Sequence, residues 1–353
     1  MTERRLSIPA LVAAGALAAV TAAGAAQAAD VTFSVVGSWS SLPLYKQYEA
    51  PFWTKTLPEA SGGKIAVEMT TFNQMGVKGG DVFRLLGEGV FDVGMTVADY
   101  TVGDAPELEG LDVPLIATTP EAARAAVDAA RPMVADIMRD RFKAKMLAIA
   151  PYPPQIIFCK PAVKGLGDLK GLKVRGSGRM TTKLLDALGA EGVNVGFSEV
   201  PGALQRGVID CAITGSGSGY SAGWHEVTTH VMPLPLGGWD PVVTAVNLDK
   251  WNGLPADVKA LVEEQIKTKF EAPAWDTAAA SLAIDLACLT GKGDCPLGKP
   301  AAMTLVSVTD ADRATARKVL VETVLPDWAK RAGDAWKVRW NDSVGKVTGV
   351  QIP

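Results

Sequence analysis

The stretch Leu85–Thr96, LLGEGVFDVGMT, returns later in the chain as Leu204–Thr214, LQRGVIDCAIT. Both copies read as a helix end, a Gly-Val pair, one apolar residue, an aspartate and a strand closing in threonine. Glycine ends a helix because it enters the left-handed region without strain, and a short apolar run bounded by turn residues fits a buried strand. Each copy follows a strand with a basic start, Lys64-Ile65 in the first case and Lys173-Val174 in the second. The repeated order predicts two similar α/β lobes, each a βαβ-type sheet flanked by helices. Asp92 and Asp210 recur at the same strand position in both copies, which favours a structural role for them.

Working outward, Val31–Trp39 reads as a buried strand running into a loop with Ser38, Trp39, Ser40 and Ser41. A helix follows through Tyr48, Phe52 and Trp53. Lys64–Phe72 is a second strand with Asn73, Gln74 and Met75 just past its end, and Asp81 can cap the next helix. Thr119 and Pro120 start an alanine-rich helix, as cap and first position. The three prolines of Pro151–Gln155 make a stiff crossing between lobes. In Asp168–Gly178, DLKGLKVRGSG, an apolar strand ends in Arg175 and a Gly-Ser-Gly turn, placing a guanidinium where α/β proteins put their ligands. Gly176 and Gly178 would let an anion approach the backbone closely. Ser198 can cap the helix bearing Ala203 and Leu204, and Gly215–Ala222 reads as a flexible glycine-serine loop. Val242–Leu248 is a further strand, and a long helix beginning near Leu254 is expected to kink or divide at Pro273. The expected lobes are residues 29–151 with about 240–280, and 152–239 with about 281–353, a ligand cleft lying between them.

The 353 residues, 48% hydrophobic and 21% charged, suffice for two cores. Residues 1–28 read as a cleaved signal peptide: Arg4 and Arg5, an apolar alanine-rich stretch, then Ala26-Gln27-Ala28. The arginine pair hints at twin-arginine export, although Ser7 and Ile8 do not supply the residues that usually follow it. Either route ends outside the cytoplasm, and a periplasmic location is expected. No later stretch is long and apolar enough to span a bilayer. The formal charge of −3 gives no support to nucleic-acid or membrane-surface binding. In an exported chain four cysteines read as disulfides. Cys288 and Cys295 enclose a polar loop and should pair; Cys159 and Cys211, on separate strands, either pair or remain buried thiols.

Catalytic readings carry little weight. His225 and His230 are five residues apart, so on a helix their rings diverge by about 140° and cannot share a metal. Gly217–Ala222 fits G-x-G-x-x-A after a strand, with Asp240 near the distance of a ribose-binding acid. An exported protein rarely meets a nucleotide cofactor, so this leaves an exported enzyme using the Gly215–Ala222 loop, or the Asp92 and Asp210 carboxylates, as the alternative. No cofactor or metal ligand set is called for.

SGGKIAVEM, GVFDVGM, DLKGLKVR, FSEVPGALQRGVID, HEVTTHV and the stretch Asn247–Asp257 occur in the order seen in the solute-binding receptors of TRAP transporters, and the chain resembles that family over nearly all its length. The resemblance implies two lobes closing on an organic anion, a long helix spanning both, and delivery of the ligand to the membrane subunits of a TRAP transporter. It implies that Arg175 forks a substrate carboxylate, as guanidinium geometry suits, that Phe197 stacks in the pocket, and that Thr214 stands where a polar contact is commonly asparagine. Gln155 lies near the place of a second arginine used by certain sugar-acid receptors. Trp39, Asn73, Gln74, Tyr100 and Trp239 are further pocket candidates from loops at strand ends. One arginine among many aromatics points to a carboxylate with an apolar or aromatic body, with a small dicarboxylate or a sugar acid as the other possibilities. A monomer is expected.

Overall fold

The computed structural model of the protein describes residues 29–353; the expected signal peptide lies outside them. The first sheet contains β1 (Val31–Gly37), β2 (Ile65–Thr71), β3 (Val93–Val97), β4 (Ala144–Ala150) and β10 (Val242–Asn247), in the order β2-β1-β3-β10-β4. The second contains β5 (Gln155–Cys159), β6 (Lys173–Arg175), β7 (Glu191–Val193), β8 (Cys211–Gly215), β9 (His230–Met232) and β11 (Thr304–Leu305), in the order β11-β9-β5-β8-β6-β7. Read from the other edge, that order is β7-β6-β8-β5-β9, and it matches the first sheet strand for strand. In each, three parallel strands are followed by an antiparallel one, β10 beside β3 and β5 beside β8. The central strands β3, β10, β5 and β8 are buried along their whole length, as their continuous apolar runs require.

The repeat is therefore real, but its strand pairing differs from the one read in the sequence. β6 occupies the place of β1, not of the Lys64-Ile65 strand. A basic residue at a strand start is a local feature, whereas a strand's place in the sheet is set by its hydrogen-bonded neighbours. The repeated aspartates show the equivalence. Asp92 accepts the N–H of Ser34 in β1 at 2.8 Å, and Asp210 accepts the N–H of Lys173 in β6 at 2.9 Å. Each carboxylate ties its own strand to the neighbouring one, which is a structural role.

The chain crosses between lobes four times: at residues 151–154, at 233–241, along the helix that runs from Ala256 to Thr290, and again near Leu325, where it returns to the first lobe. That helix spans both lobes. Glu271 pairs with Arg131 and accepts the N–H of Ile149 on the first lobe, whereas Asp285 accepts the hydroxyl of Ser216 on the second. Pro273 does not divide it: a π turn, Ile266–Glu271, lies directly ahead of the proline and the helix continues. Thr119 caps the Pro120–Phe142 helix through Ala122 as expected, whereas Asp81 and Ser198 make no capping bond; Asp81 pairs with Arg84 instead.

Within residues 281–353, β11 adds to the second sheet, but the helices from Leu325 onward pack back on the first lobe. The indoles of Trp328 and Trp340 donate to the carbonyls of Pro106 and Gly110, and Arg339 pairs with Asp136. Two disulfides are present, Cys159–Cys211 and Cys288–Cys295. The first joins residues directly opposite each other on β5 and β8.

Candidate ligand-binding site

Topological equivalence brings two strand ends face to face. β1 runs into Ser38 and Trp39; β6 runs into Arg175 and the 176–178 turn. Arg175 is 2% exposed. Its Nε donates to the carbonyl of Val195 at 3.0 Å and its Nη1 to the carbonyl of Ile213 at 2.6 Å. Both acceptors are neutral, and among the described residues Arg175 forms no ion pair. A buried charge is ordinarily paired, so this guanidinium is held in place by backbone while its charge stays available.

The aromatic candidates converge on Trp39. Its ring meets Tyr100 at 5.5 Å, Phe197 at 5.5 Å, Phe72 at 4.8 Å and Tyr152 at 6.2 Å, mostly edge to face, the geometry aromatic rings prefer. Trp39 and Tyr100 come from the first lobe and Phe197 from the second, so the wall is shared. Thr214 is buried on β8, where Ala212 pairs with Arg175. Side chains alternate along a strand, so Thr214 shares the face of Ala212 and Arg175.

Three aspartates absent from the sequence expectations as ligand groups complete the site. Asp99, Asp112 and Asp240 each place a carboxylate oxygen within 4.8 Å of the others, and all three are buried. Burial holds the Asp99 carboxyl well above the usual range, reinforced by Asp240, Asp112 and Glu109 and opposed by Arg175. Burial and then Asp112 do the same to Asp240, again against Arg175. Asp112 is raised by burial and pulled back by its hydrogen bonds. Asp240 sits between Trp239 and Pro241 with a left-handed φ of +41. Its proposed ribose role has no counterpart here.

The other candidates lie differently. Gln155 and Trp239 reach the site only through Asp112. Gln155 Nε2 donates to Asp112 Oδ2 at 3.1 Å, the N–H of Trp239 donates to Asp112 Oδ1 at 2.7 Å, and the Trp239 indole donates to the carbonyl of Ala117. Asn73 and Gln74 are exposed in the turn after β2, bonded to Ser40 and Thr71. The turn satisfies them locally and the structure does not bring them to Arg175.

One glycine reading is also corrected. Gly215–Ala222 is no flexible loop: Ser216–Ser221 is a short helix with Ser216–Tyr220 buried. Asp285 accepts from Ser216 at 2.5 Å, and Gly219 lies so close to Phe158 that a Cβ would fall 2.4 Å from the ring. The glycines serve packing. Gly176 likewise admits Thr182, whose Oγ1 would be 2.4 Å from a Cβ, and Gly178 admits Asp99, whose Oδ2 would be 1.8 Å away.

The profile of the family described as bacterial extracellular solute-binding protein, family 7, matches residues 39–286. The chain belongs to that family. Among family 7 relatives, the C4-dicarboxylate-binding periplasmic protein DctP of Rhodobacter capsulatus is 35% identical over 98 residues, 28% of this chain and 29% of that protein. Of solved structures, DctP7 of Bordetella pertussis, an extracytoplasmic solute receptor binding pyroglutamic acid, superposes with a TM-score of 0.77 at 23% identity, covering 89% of this chain and 99% of that one. A marine metagenome TRAP solute-binding protein specific for aromatic acid ligands gives 0.74 at 25% identity, covering 90% and 98%. The fold of these receptors is thus shared over 89–90% of this chain. Among the described residues no helix is long and apolar enough to cross a membrane.

Proposed function

We propose that this family 7 protein is a periplasmic receptor that closes its lobes on a small organic acid and delivers it to the membrane subunits of a TRAP transporter. The observation that carries the reading is Arg175, 2% exposed, oriented by two backbone carbonyls and free of any ion pair among the described residues. A carboxylate entering between the lobes supplies the ion-pair partner that Arg175 lacks, and a guanidinium can meet both its oxygens. Trp39 and Tyr100 from one lobe and Phe197 from the other suit an apolar or aromatic body on that acid. The relatives that bind pyroglutamic acid, aromatic acids and C4-dicarboxylates support the same class of ligand. The lobes are residues 29–151 with about 240–280, and 152–239 with the chain up to about 324; the helices beyond Leu325 strap onto the first lobe. They hinge at the segments that cross between them.

A thermal-shift screen of organic acids tests the reading, because a ligand that binds only the native state raises its Tm. Arg175→Lys should leave the unliganded Tm close to wild type yet weaken binding of the best acid about 10- to 100-fold, the cost of losing a charge-assisted bidentate contact in a desolvated site. Unchanged affinity would remove Arg175 from the site.

A further inference from the structure

We propose that the ligand carries a positive charge beside its carboxylate: an amino acid or betaine-like zwitterion, whose carboxylate meets Arg175 and whose nitrogen lies between Asp99 and Asp240. The proposal rests on the reading of this cleft as an organic-acid site and names the class of acid. It starts from two buried atoms. Asp99 Oδ1 and Asp240 Oδ1 have no hydrogen-bond partner among the described residues, although Asp99 is 7% and Asp240 9% exposed. Folded proteins leave few buried acceptors unmet, because each costs about 1–3 kcal/mol and a charged one more.

Asp112 completes the acidic group but is already engaged. Its Oδ1 accepts the N–H groups of Trp239 and Asp240 at 2.7 and 3.0 Å, and its Oδ2 accepts from Gln155 at 3.1 Å. Asp112 therefore fixes the backbone at Trp239 and Asp240, and a carboxylate oxygen of Asp240 lies within 4.8 Å of one from Asp99. Two acceptors remain, close together, beside one unpaired guanidinium. A plain carboxylate would satisfy Arg175 and add a fourth acidic group to the three already there. A zwitterion satisfies Arg175 and both aspartates with no net charge.

The donor set also selects among cations. Calcium takes about 6–8 oxygen ligands, more than the side-chain oxygens of Asp99 and Asp240, which are without hydrogen-bond partners among the described residues, can supply. A primary ammonium has three N–H donors, two for these oxygens and one to spare; a quaternary one needs only carboxylates and aromatic faces. Tyr100, next to Asp99, packs edge-on to Trp39 and supplies such a face.

Matched pairs of acids with and without the cationic nitrogen test the proposal: glycine betaine against 3,3-dimethylbutanoate, phenylalanine against 3-phenylpropionate, proline against cyclopentanecarboxylate. Each is titrated calorimetrically into the full mature protein at pH 6 and pH 8, with EDTA or with calcium added. In at least one pair the nitrogen-bearing member should bind about tenfold or more tightly, as for a charge-assisted hydrogen bond in a dry site. Its affinity should rise with pH, because an ammonium favours the ionised aspartates, whereas that of the plain acid should fall. Groups facing Asp99 and Asp240 are Asp112, Glu109, Arg175, Tyr100 and Tyr152; Asp112 acts in the same direction and Glu109 is paired with Arg331. In Asp240→Asn the nitrogen-bearing member should lose its advantage over its partner. Plain acids binding as well as their partners at both pH values would overturn the proposal, and wild type alone decides this. Binding abolished by EDTA and restored by calcium would assign the positive charge to a metal and also overturn it. No binding by either member of any pair would instead count against the organic-acid reading itself.

Discussion

Glu49 shows how a single residue behind the site can set the pH response of the fold. It is fully buried; its Oε2 accepts the N–H of Ser38 at 2.8 Å, while Oε1 has no partner among the described residues. Ser38 in turn shares a hydrogen bond with the Tyr152 hydroxyl at 3.0 Å, beneath Trp39. Burial pushes the Glu49 carboxyl up to about 7 against the pull of Ser38. A folded-state value above the unfolded one means that the native protein binds the proton more tightly. The resulting stability is present below about pH 4.3, the unfolded value, and is lost as pH rises through about 7. Glu49→Gln keeps an acceptor for Ser38 and removes the charge. It should raise Tm at pH 8, by an amount equivalent to at most about 4 kcal/mol, and the gain should nearly vanish near pH 4.5. A thermal melt at both values decides; a pH-independent difference would mean that the effect is packing, not ionisation. Arg175 was legible in the sequence because it ends a strand and opens a Gly-Ser-Gly turn. Glu49, Asp99 and Asp240 were not, since a lone acid in a loop or helix looks like any solvated acid until the fold shows what covers it.

Among elements, the strands and the repeat were legible because short apolar runs between turn residues need only local information. Their neighbours were not: placing β6 opposite β1 depends on hydrogen bonds between residues far apart in the chain. Proline shows the same divide. Pro51, Pro58, Pro273 and Pro326 each follow a π turn by two residues, and the N–H just before each one bonds five residues back, Ala50 to Tyr45, Leu57 to Phe52, Ala272 to Lys267 and Leu325 to Leu320. The wider turn lets the helix pass the missing N–H and the ring that would strike the preceding turn. A proline rule that foresees only breaks misses this. The disulfides differ by their elements too. Cys159–Cys211 is buried between paired strands and closes 52 residues; Cys288–Cys295 spans 7 residues and has one half-exposed partner. Mild reductant should open Cys288–Cys295 first, read by mass spectrometry after thiol alkylation. Removing Cys159–Cys211 should cost more, about 4 against about 2.5 kcal/mol by loop entropy. Equal losses on substituting each pair by alanine would show that the β5–β8 pairing already restrains the unfolded chain.

At the scale of the molecule, binding and closure are one event only if the lobes can meet, and Gly178 is one place where they meet closely. Asp99 comes from the first lobe, after β3; Gly178 comes from the second, where it precedes the Arg179–Ala187 helix. An added Cβ would lie 1.8 Å from Asp99 Oδ2, inside any permissible contact. The backbone itself would accept the change, for Gly178 has φ −143 and ψ −176, extended values open to any residue. The conflict therefore exists only between lobes, and moving them apart relieves it. Gly178→Ala should keep the unliganded melting transition, enlarge the radius of gyration measured by X-ray scattering in the presence of ligand, and weaken binding through faster release, since an open cleft cannot bury Arg175 around the acid. Gly176→Ala is the contrasting control. Its Cβ would strike Thr182 within the same lobe, a clash that opening cannot relieve, so it should lower Tm with or without ligand. If Gly178→Ala binds as tightly as wild type and closes to the same radius, Asp99 yields to the methyl group by turning aside, and closure does not depend on this contact.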